Sequence, residues 1–377
     1  MYSGDLDMKK RYFITGGGTG GHIYPALAVY EELLKLDTTG EIHYIGNKKN
    51  PEYTIVSAKK YNFLDVDVFG MPRKFGFRLF VWAWALFFAI IKSCFYILKY
   101  KPDAIFGTGG YVSAPVIIAG KILKIPYVMH DCDACPGLVT RKLAPYAKSV
   151  SLAFEDAKKY INNSHIFING NPIRGEFQTL TRKKALENLG LSDKLTLCVM
   201  GGSQGAKSIN NATVKILKKL LDKDIQVIFQ TGRKNFEVVS EKLYEIYPDY
   251  KNNKNLVFRP YFDDMISVLK ASHIVVGRSG SLSLSEICAC GAASILVPYP
   301  HAAADHQRIN AKYMTRNGAS LYIEDADLTP DLLFEKITDL IDNKEKLSGL
   351  QAKARALAKF DGAKKIVEQI NSGLLDG

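Results

Sequence analysis

The sequence predicts an α/β chain of two doubly wound parallel-sheet domains. Short β-rich runs alternate with helical stretches along all 377 residues, the pattern of parallel strands joined by crossover helices. The length exceeds what one hydrophobic core usually fills. The two halves also echo each other in plan. FITGGGTGGHIYPALAVYEEL (13–33) parallels CVMGGSQGAKSINNATVKIL (198–217) as strand, glycine loop and helix. IFGTGGYVSAPVIIAGKILKIPYVM (105–129) parallels VVGRSGSLSLSEICACGAASILVPY (275–299) as strand, glycine loop, helix and strand.

In chain order, the first series of strands is expected at 11–15, 41–45, 63–68, 103–107, 126–130, 148–152 and 165–169. The second is expected at 195–200, 225–230, 255–258, 273–277, 293–298 and 320–323. Between them NGNPIRGEF (169–177) is a Gly/Pro-rich break. It divides the chain into a domain of residues 1–173 and a second of 174–356. A final helical stretch, about 357–377, has no strand after it and is expected to cross back onto the first domain. Each domain would present its glycine loops at the carboxyl ends of its strands, the usual ligand position in open α/β sheets. Facing each other, the two sets would form one cleft.

The composition, 47% hydrophobic and 23% charged without a low-complexity run, is that of an ordinary folded protein. A net charge of +12 favours anionic partners. The N-terminal MYSGDLDMKKR lacks an apolar core ahead of the first strand, so no signal peptide is expected. Of six cysteines, only Cys132 with Cys135 and Cys288 with Cys290 are close in sequence. This does not supply the four matched ligands of a structural zinc site, and reduced thiols are expected.

One segment departs from the average. From Asp67 to Asp103 there is no acidic residue, whereas Arg73, Lys74, Arg78, Lys92, Lys99 and Lys101 all lie there. Inside it LFVWAWALFFAII (79–91) holds both tryptophans, Trp82 and Trp84, together with Phe87 and Phe88. Thirteen apolar residues fall short of the ~20 a spanning helix needs. A buried core helix is one reading. The other, which we favour, is a helix resting on the domain and dipping into an anionic bilayer surface without crossing it. Nucleic acid is a poor fit, because the cations surround an apolar helix and not an aromatic-studded groove.

The glycine loops carry the chemistry. Glycine after a strand lets backbone approach a ligand, and the following helix offers free N–H groups and its positive dipole end. GGSQGAKSIN (201–210) adds Ser203 and Gln204 as side-chain donors. RSGSLSLSE (278–286) adds Arg278, which either assists the ligand or braces the loop, and Glu286, a carboxylate able to accept hydrogen bonds from a ribose diol. In the first loop Gly16, Gly18 and Gly21 satisfy the dinucleotide spacing G-x-G-x-x-G. A dinucleotide fold also wants an acidic residue about 20 positions on. Here the second strand ends Tyr44, Ile45, Gly46, Asn47, so no nicotinamide or flavin cofactor is expected. His22 follows the last glycine; the positive helix end favours a neutral imidazole able to take a proton from a hydroxyl nucleophile, though a histidine that only caps or packs is the alternative. Aspartate pairs occur at Asp65 and Asp67, Asp131 and Asp133, and Asp325 and Asp327. Only the middle pair faces the expected cleft, and no metal is assigned to it.

Taken in order, GGGTGGHIYPALAV, GTGGYVSAP, GNPIR, GGSQGAKSIN, FDDM, RSGSLSLSE and ADHQRINA resemble the MurG family, the undecaprenyldiphospho-muramoylpentapeptide β-N-acetylglucosaminyltransferases of glycosyltransferase family 28. The resemblance runs from about Arg11 to Ala319. It implies the GT-B fold, two Rossmann-like domains about a deep cleft. The implied activity is that of a UDP-GlcNAc-dependent hexosyltransferase without cofactor or obligatory metal, moving GlcNAc with inversion from UDP-GlcNAc to the 4-hydroxyl of MurNAc on lipid I to give lipid II. Carried over position by position, donor contacts fall on Thr19, Gly20 and Gly21, on Arg174, and on Ser203 with Gln204. They continue at Phe262 and Met265, through Ser281, Leu282, Ser283, Leu284, Ser285 and Glu286, and at Gln307. His22 is the implied base. The implied partners are UDP-GlcNAc, lipid I, an anionic membrane surface and other wall-synthesis proteins, at the cytoplasmic face of the inner membrane.

One departure stands out. Where the family commonly reads HEQN, this chain reads His130, Asp131, Cys132, Asp133. Asp133 keeps an acceptor oxygen, loses two N–H donors and adds charge near a diphosphate. Lower donor affinity, or a base role for Asp133 beside His22, would follow. A GT-B enzyme acting on another lipid such as diacylglycerol, a sugar-nucleotide epimerase of similar fold and a non-catalytic membrane scaffold are the rival readings.

Overall fold

The computed structural model describes residues 9–36, 40–72, 74, 76–202 and 204–375; Arg73 and Ser203 therefore lie outside the described residues. The chain runs β1 (Arg11–Thr15), α1 (Gly20–Leu36), β2 (Glu41–Gly46), α2 (Pro51–Ala58), β3 (Phe63–Asp65), α3 (Phe77–Tyr100), β4 (Ala104–Gly107), α4 (Gly110–Ile122), β5 (Tyr127–Asp131), α5 (Leu138–Leu143), β6 (Ser149–Leu152) and β7 (Ile166–Ile168). It continues α6 (Glu176–Thr179), α7 (Arg182–Leu189), β8 (Thr196–Met200), α8 (Lys207–Leu221), β9 (Gln226–Gln230), α9 (Phe236–Ile246), β10 (Leu256–Arg259), α10 (Met265–Ala271), β11 (Ile274–Gly277), α11 (Ser281–Cys290) and β12 (Ala293–Leu296). Last come α12 (His306–Arg316), β13 (Ser320–Tyr322), α13 (Pro330–Asp342), α14 (Lys344–Leu357) and α15 (Gly362–Leu375).

Every run expected to be a strand is one, and the strands form two wholly parallel sheets. Their orders are β3-β2-β1-β4-β5-β6-β7 and β10-β9-β8-β11-β12-β13. Central strands such as FIT in β1 and TLCVM in β8 are buried along their length, as strands covered by helices on both faces must be. In each sheet the first strand lies between the second and the fourth, so chain direction switches sides beside it. The glycine loops after β1 and β4, and after β8 and β11, thus emerge side by side at switch points, where such sheets bind ligands.

Contacts divide the chain into two compact units, Met1–Ile173 with Lys359–Gly377 and Arg174–Ala358. Helix α15 belongs to the first unit because Ile366, Val367 and Ile370 are buried in the core beneath α1. Each such side chain contributes about 1.5–3 kcal/mol. The second unit has one core, centred on Leu197, Val199, Phe229, Val276 and Ile295.

Two expectations change. Strand β3 ends at Asp65 instead of running to Val68; beyond Val66, the Asn47 side chain takes the Val68 carbonyl at 2.8 Å and draws the chain off the sheet. The apolar segment is longer than its uninterrupted run. Helix α3 continues through Lys92 to Tyr100, giving 24 residues, so by length and composition it could cross a membrane. Nor is it a core helix: only Ala89, Ser93 and Ile97, one stripe at four-residue spacing, are buried. Phe80, Trp84, Phe87, Phe88, Ile91, Phe95 and Leu98 are exposed.

Candidate functional site

In the first unit the site grows from the ends of β1, β4 and β5. Gly18 takes φ +84°, and a Cβ there would stand 2.9 Å from the Tyr111 ring, so only glycine makes this turn. Beyond it Thr19 is exposed, and Gly20 and Gly21 open α1. First-turn amides of a helix have no partner inside it, which leaves donors here for a ligand. Pro25 of α1 and Pro115 of α4 each occupy the sixth helical position and cannot donate to the fourth residue before them.

His22 is half-buried. Its Nδ1 lies 2.7 Å from the Thr108 carbonyl, and Thr108 Oγ1 donates to the His22 carbonyl at 2.8 Å. A carbonyl can only accept, so Nδ1 carries the proton of the neutral ring and Nε2 keeps its lone pair. The ring lies against Gly110, where φ is +73° and a Cβ would stand 3.0 Å from His22 Cδ2.

Residues 130–133 form a support and a loop. His130 is fully buried between the Ser151 hydroxyl at 3.0 Å and Asn171 Oδ1 at 3.1 Å, and burial lowers its pKa to about 4, so it stays neutral. The Asp131 carboxylate accepts the amides of Asp133 and Gly137, both at 3.1 Å, and so organises the loop that carries Asp133. Burial, then the Asp133 charge, raises Asp131 to about 6. Asp133 itself is half-buried. The ligand atoms of Asp131, Cys132 and Asp133 lie within 4.8 Å of one another.

In the second unit Gly205, at φ +76°, packs directly on the Thr231 carbonyl, joining the loop after β8 to the loop after β9. Gln204 is exposed, and its carbonyl accepts from Asn235 at 3.0 Å. Gln230 ties the same loop to Phe262, donating to the Gly202 carbonyl at 3.3 Å and accepting the Phe262 amide at 3.0 Å. Phe262 is buried, and Met265 opens α10 behind the Asp264 cap, whose carboxylate takes the Ser267 amide.

Helix α11 begins at Ser281 after Gly280. Ser281 and Leu284 are buried; Leu282, Ser283, Ser285 and Glu286 are partly accessible. Arg174 Nη2 lies 3.8 Å from Glu286 Oε1, with the guanidinium over the Phe177 ring. Burial pushes the Glu286 pKa up to about 7 against the opposing pull of Arg174. Arg278 braces the loop: it donates to the carbonyls of Val297 and Pro298 and to the carboxylate of Asp325, which also accepts from Ser208. Arg278 and Asp325 together thus brace this loop. Gln307 has its side-chain oxygen on the Tyr299 amide at 3.0 Å, and its carbonyl accepts from buried Ser279 at 2.7 Å. Just before it Ala304 and Asp305 both hold positive φ, a strained pair for non-glycine residues.

Sequence reasoning missed Thr108, Ser279 and Asn310, whose side chain donates to the Ser279 carbonyl at 3.2 Å. Their signal was weak, because each bonds backbone that only the fold brings near.

The sequence profile of the glycosyltransferase family 28 N-terminal domain matches residues 12–152, and that of its C-terminal domain matches residues 196–370. A UDP-N-acetylglucosamine–N-acetylmuramyl-(pentapeptide) pyrophosphoryl-undecaprenol N-acetylglucosamine transferase of Thermoanaerobacter sp. (strain X514) is 37% identical over 96% of this chain and 99% of its own length. The enzyme of that name from Desulforamulus reducens is 36% identical over 95% of this chain and 97% of its own. Among solved structures, Acinetobacter baumannii MurG superposes with a TM-score of 0.77 at 26% identity, covering 96% of this chain and 99% of that one. With thirteen parallel strands among the described residues in two Rossmann-like sheets of GT-B type, matched along nearly the whole length by these relatives, the chain belongs to the MurG family of glycosyltransferase family 28.

Proposed function

We propose that this chain moves GlcNAc from UDP-GlcNAc to the 4-hydroxyl of MurNAc on lipid I by direct inverting displacement, with His22 as the base. Family membership makes it a UDP-GlcNAc-dependent N-acetylglucosaminyltransferase of peptidoglycan synthesis forming lipid II. The observation that carries the mechanism is the fixed tautomer of His22: with Nδ1 held by the Thr108 carbonyl, Nε2 is left to accept the hydroxyl proton.

The donor is bound by the second unit. Diphosphate charge that grows as UDP departs is stabilised by amides of the loop after β8 and of the α11 start, with the helix dipole behind them. Glu286 accepts from the ribose hydroxyls, and Arg174, Gln204, Met265 and Gln307 complete the pocket. Because the Phe262 amide is already bonded to Gln230, the uracil contact at this position falls to its carbonyl. Asp133 is a donor-sugar contact that lacks the family's amide.

The acceptor is anchored in lipid, and α3 suits that. Its exposed aromatic face, flanked by Lys92, Lys99 and Lys101, lies on an anionic membrane, each nearby cation contributing about 1 kcal/mol. The stripe of Ala89, Ser93 and Ile97 ties the helix to its domain, favouring surface attachment over crossing. Since the donor is a cytosolic nucleotide, the face is the cytoplasmic one. Radiolabelled UDP-GlcNAc offered with lipid I or with diacylglycerol tests the reading. Label is expected on lipid I alone, and transfer to diacylglycerol instead would overturn it.

A further inference from the structure

The first glycine loop is built around a buried side chain that the glycosyl-transfer reading does not use. Glu52, in the first turn of α2, is fully buried. Its Oε2 accepts the Gly18 amide at 3.0 Å, and its Oε1 accepts the Asn47 amide and the Asn50 side chain, both at 3.1 Å. The missing side chains of Gly17 and Gly46 make the room, since a Cβ on either would collide with Glu52. Asn50 also donates to the Tyr111 hydroxyl at 3.0 Å, and the Tyr111 ring backs Gly18.

A carboxyl group of the protein itself therefore already fills the inner side of this loop. Glycine-loop amides that wrap a carboxylate are used to hold the turn and are not offered to a diphosphate. Three residues after Gly18 the chain reaches Gly21, and the next residue is His22. We propose that Glu52 is the positioning residue of the catalytic loop, fixing Gly18 so that the open first turn of α1 and the His22 ring sit where the acceptor meets them. This rests on the reading of His22 as base. Asn50 and Tyr111 are parts of the same clamp.

The informative change is Glu52→Gln. It is isosteric, but its NH2 must face the Gly18 or the Asn47 amide, donor against donor. A displacement of about 1 Å at a reacting group can cost 10²-fold in rate. We expect kcat for transfer to fall about 10–100-fold, by that principle, while UDP affinity by calorimetry stays within about twofold. Amide hydrogen exchange across residues 16–23 should speed up. Unchanged exchange, or faster exchange with kcat intact, would overturn the proposal. Should Glu52→Gln fail to fold, Asn50→Ala removes one donor and the link to Tyr111; smaller changes in the same two measurements are expected, and their absence is equally decisive. If the wild-type chain binds UDP yet transfers nothing to lipid I, the functional reading fails, whereas the exchange comparison still decides what Glu52 holds.

Discussion

His22 and Thr108 hold each other through two bonds: the imidazole Nδ1 meets the Thr108 carbonyl at 2.7 Å, and the Thr108 hydroxyl meets the His22 carbonyl at 2.8 Å. The first bond selects the tautomer, and the second ties the start of α1 to the end of β4. If Nε2 takes the acceptor proton, His22→Ala removes a general base, which is worth about 10²–10⁴-fold. Steady-state kinetics should show that loss in kcat, with UDP-GlcNAc binding by calorimetry nearly unchanged. Thr108→Val keeps the carbonyl and should cost far less. Equal losses in rate and binding for His22→Ala would remove the base role.

Glu286 makes stability depend on pH. Its folded pKa, about 7, stands above the ordinary 4.5. The folded chain therefore holds a proton that the unfolded chain has released, and stability falls as pH rises from about 4.5 to 7. Glu286→Gln cannot ionise, so its stability relative to wild type should improve by up to about 3 kcal/mol on going from pH 4 to pH 8. Urea unfolding at the two pH values checks this. UDP binding should weaken in the same variant, because an amide accepts through one oxygen only. A pH-independent stability difference would show that the carboxylate ionises normally.

The ion pair of Arg278 with Asp325 is largely buried, and the same guanidinium satisfies two main-chain carbonyls. Removing one member leaves the other charge buried and unpaired, at a cost of about 3 kcal/mol. Asp325→Ala should lower the urea midpoint accordingly. Arg278→Lys should not act as a conservative change, because one ammonium cannot serve both the three oxygens around Nη1 and the Ser208 hydroxyl that Nη2 reaches. A lysine variant as stable as wild type would show that the fork geometry is dispensable.

Helix α3 separates packing from binding. Trp84, Phe87 and Phe88 are roughly half exposed or more, whereas Ile97 is buried. Serine at the three aromatic positions should leave unfolding nearly unchanged and weaken binding to anionic vesicles, with activity kept on a short-chain soluble acceptor. Ile97→Ala should do the reverse, costing about 2–5 kcal/mol of stability. Vesicle co-sedimentation beside urea melts distinguishes the two. Unaltered vesicle binding in the aromatic variant would remove the membrane role.

Strands were legible because parallel strands covered on both faces read as short apolar runs, and β1, β4, β8 and β11 each ended at a glycine loop. Helix α3 was half legible: hydrophobicity marked it, but Lys92 in its middle concealed its length, and no periodicity distinguished Ala89, Ser93 and Ile97 as the inward stripe. The loops' supports were least legible. Glu52 is an ordinary acidic residue at a helix start in the sequence, Thr108 acts through its carbonyl and through a hydroxyl bonded to main chain, and Asp325 meets Arg278 from 47 positions away. Such roles depend on which backbone atoms the sheet order brings together.

On the proposed reading Asp133 meets the donor sugar, which says what an asparagine at this position should do. Its main-chain amide is held by Asp131, and its carboxylate accepts from the Cys132 thiol at 3.8 Å. Asparagine at this position keeps one oxygen, gains two donors and removes a negative charge from the diphosphate's surroundings. Asp133→Asn should therefore tighten UDP-GlcNAc binding more than UDP binding, because the added donors address the sugar. It should also lower the Asp131 pKa, since the Asp133 charge is one cause of its rise to about 6. Calorimetry with the two nucleotides, paired with carboxyl titration by NMR, measures both effects. If His22 alone is the base, kcat should survive the change; a loss as large as that of His22→Ala would instead give Asp133 a share in proton transfer.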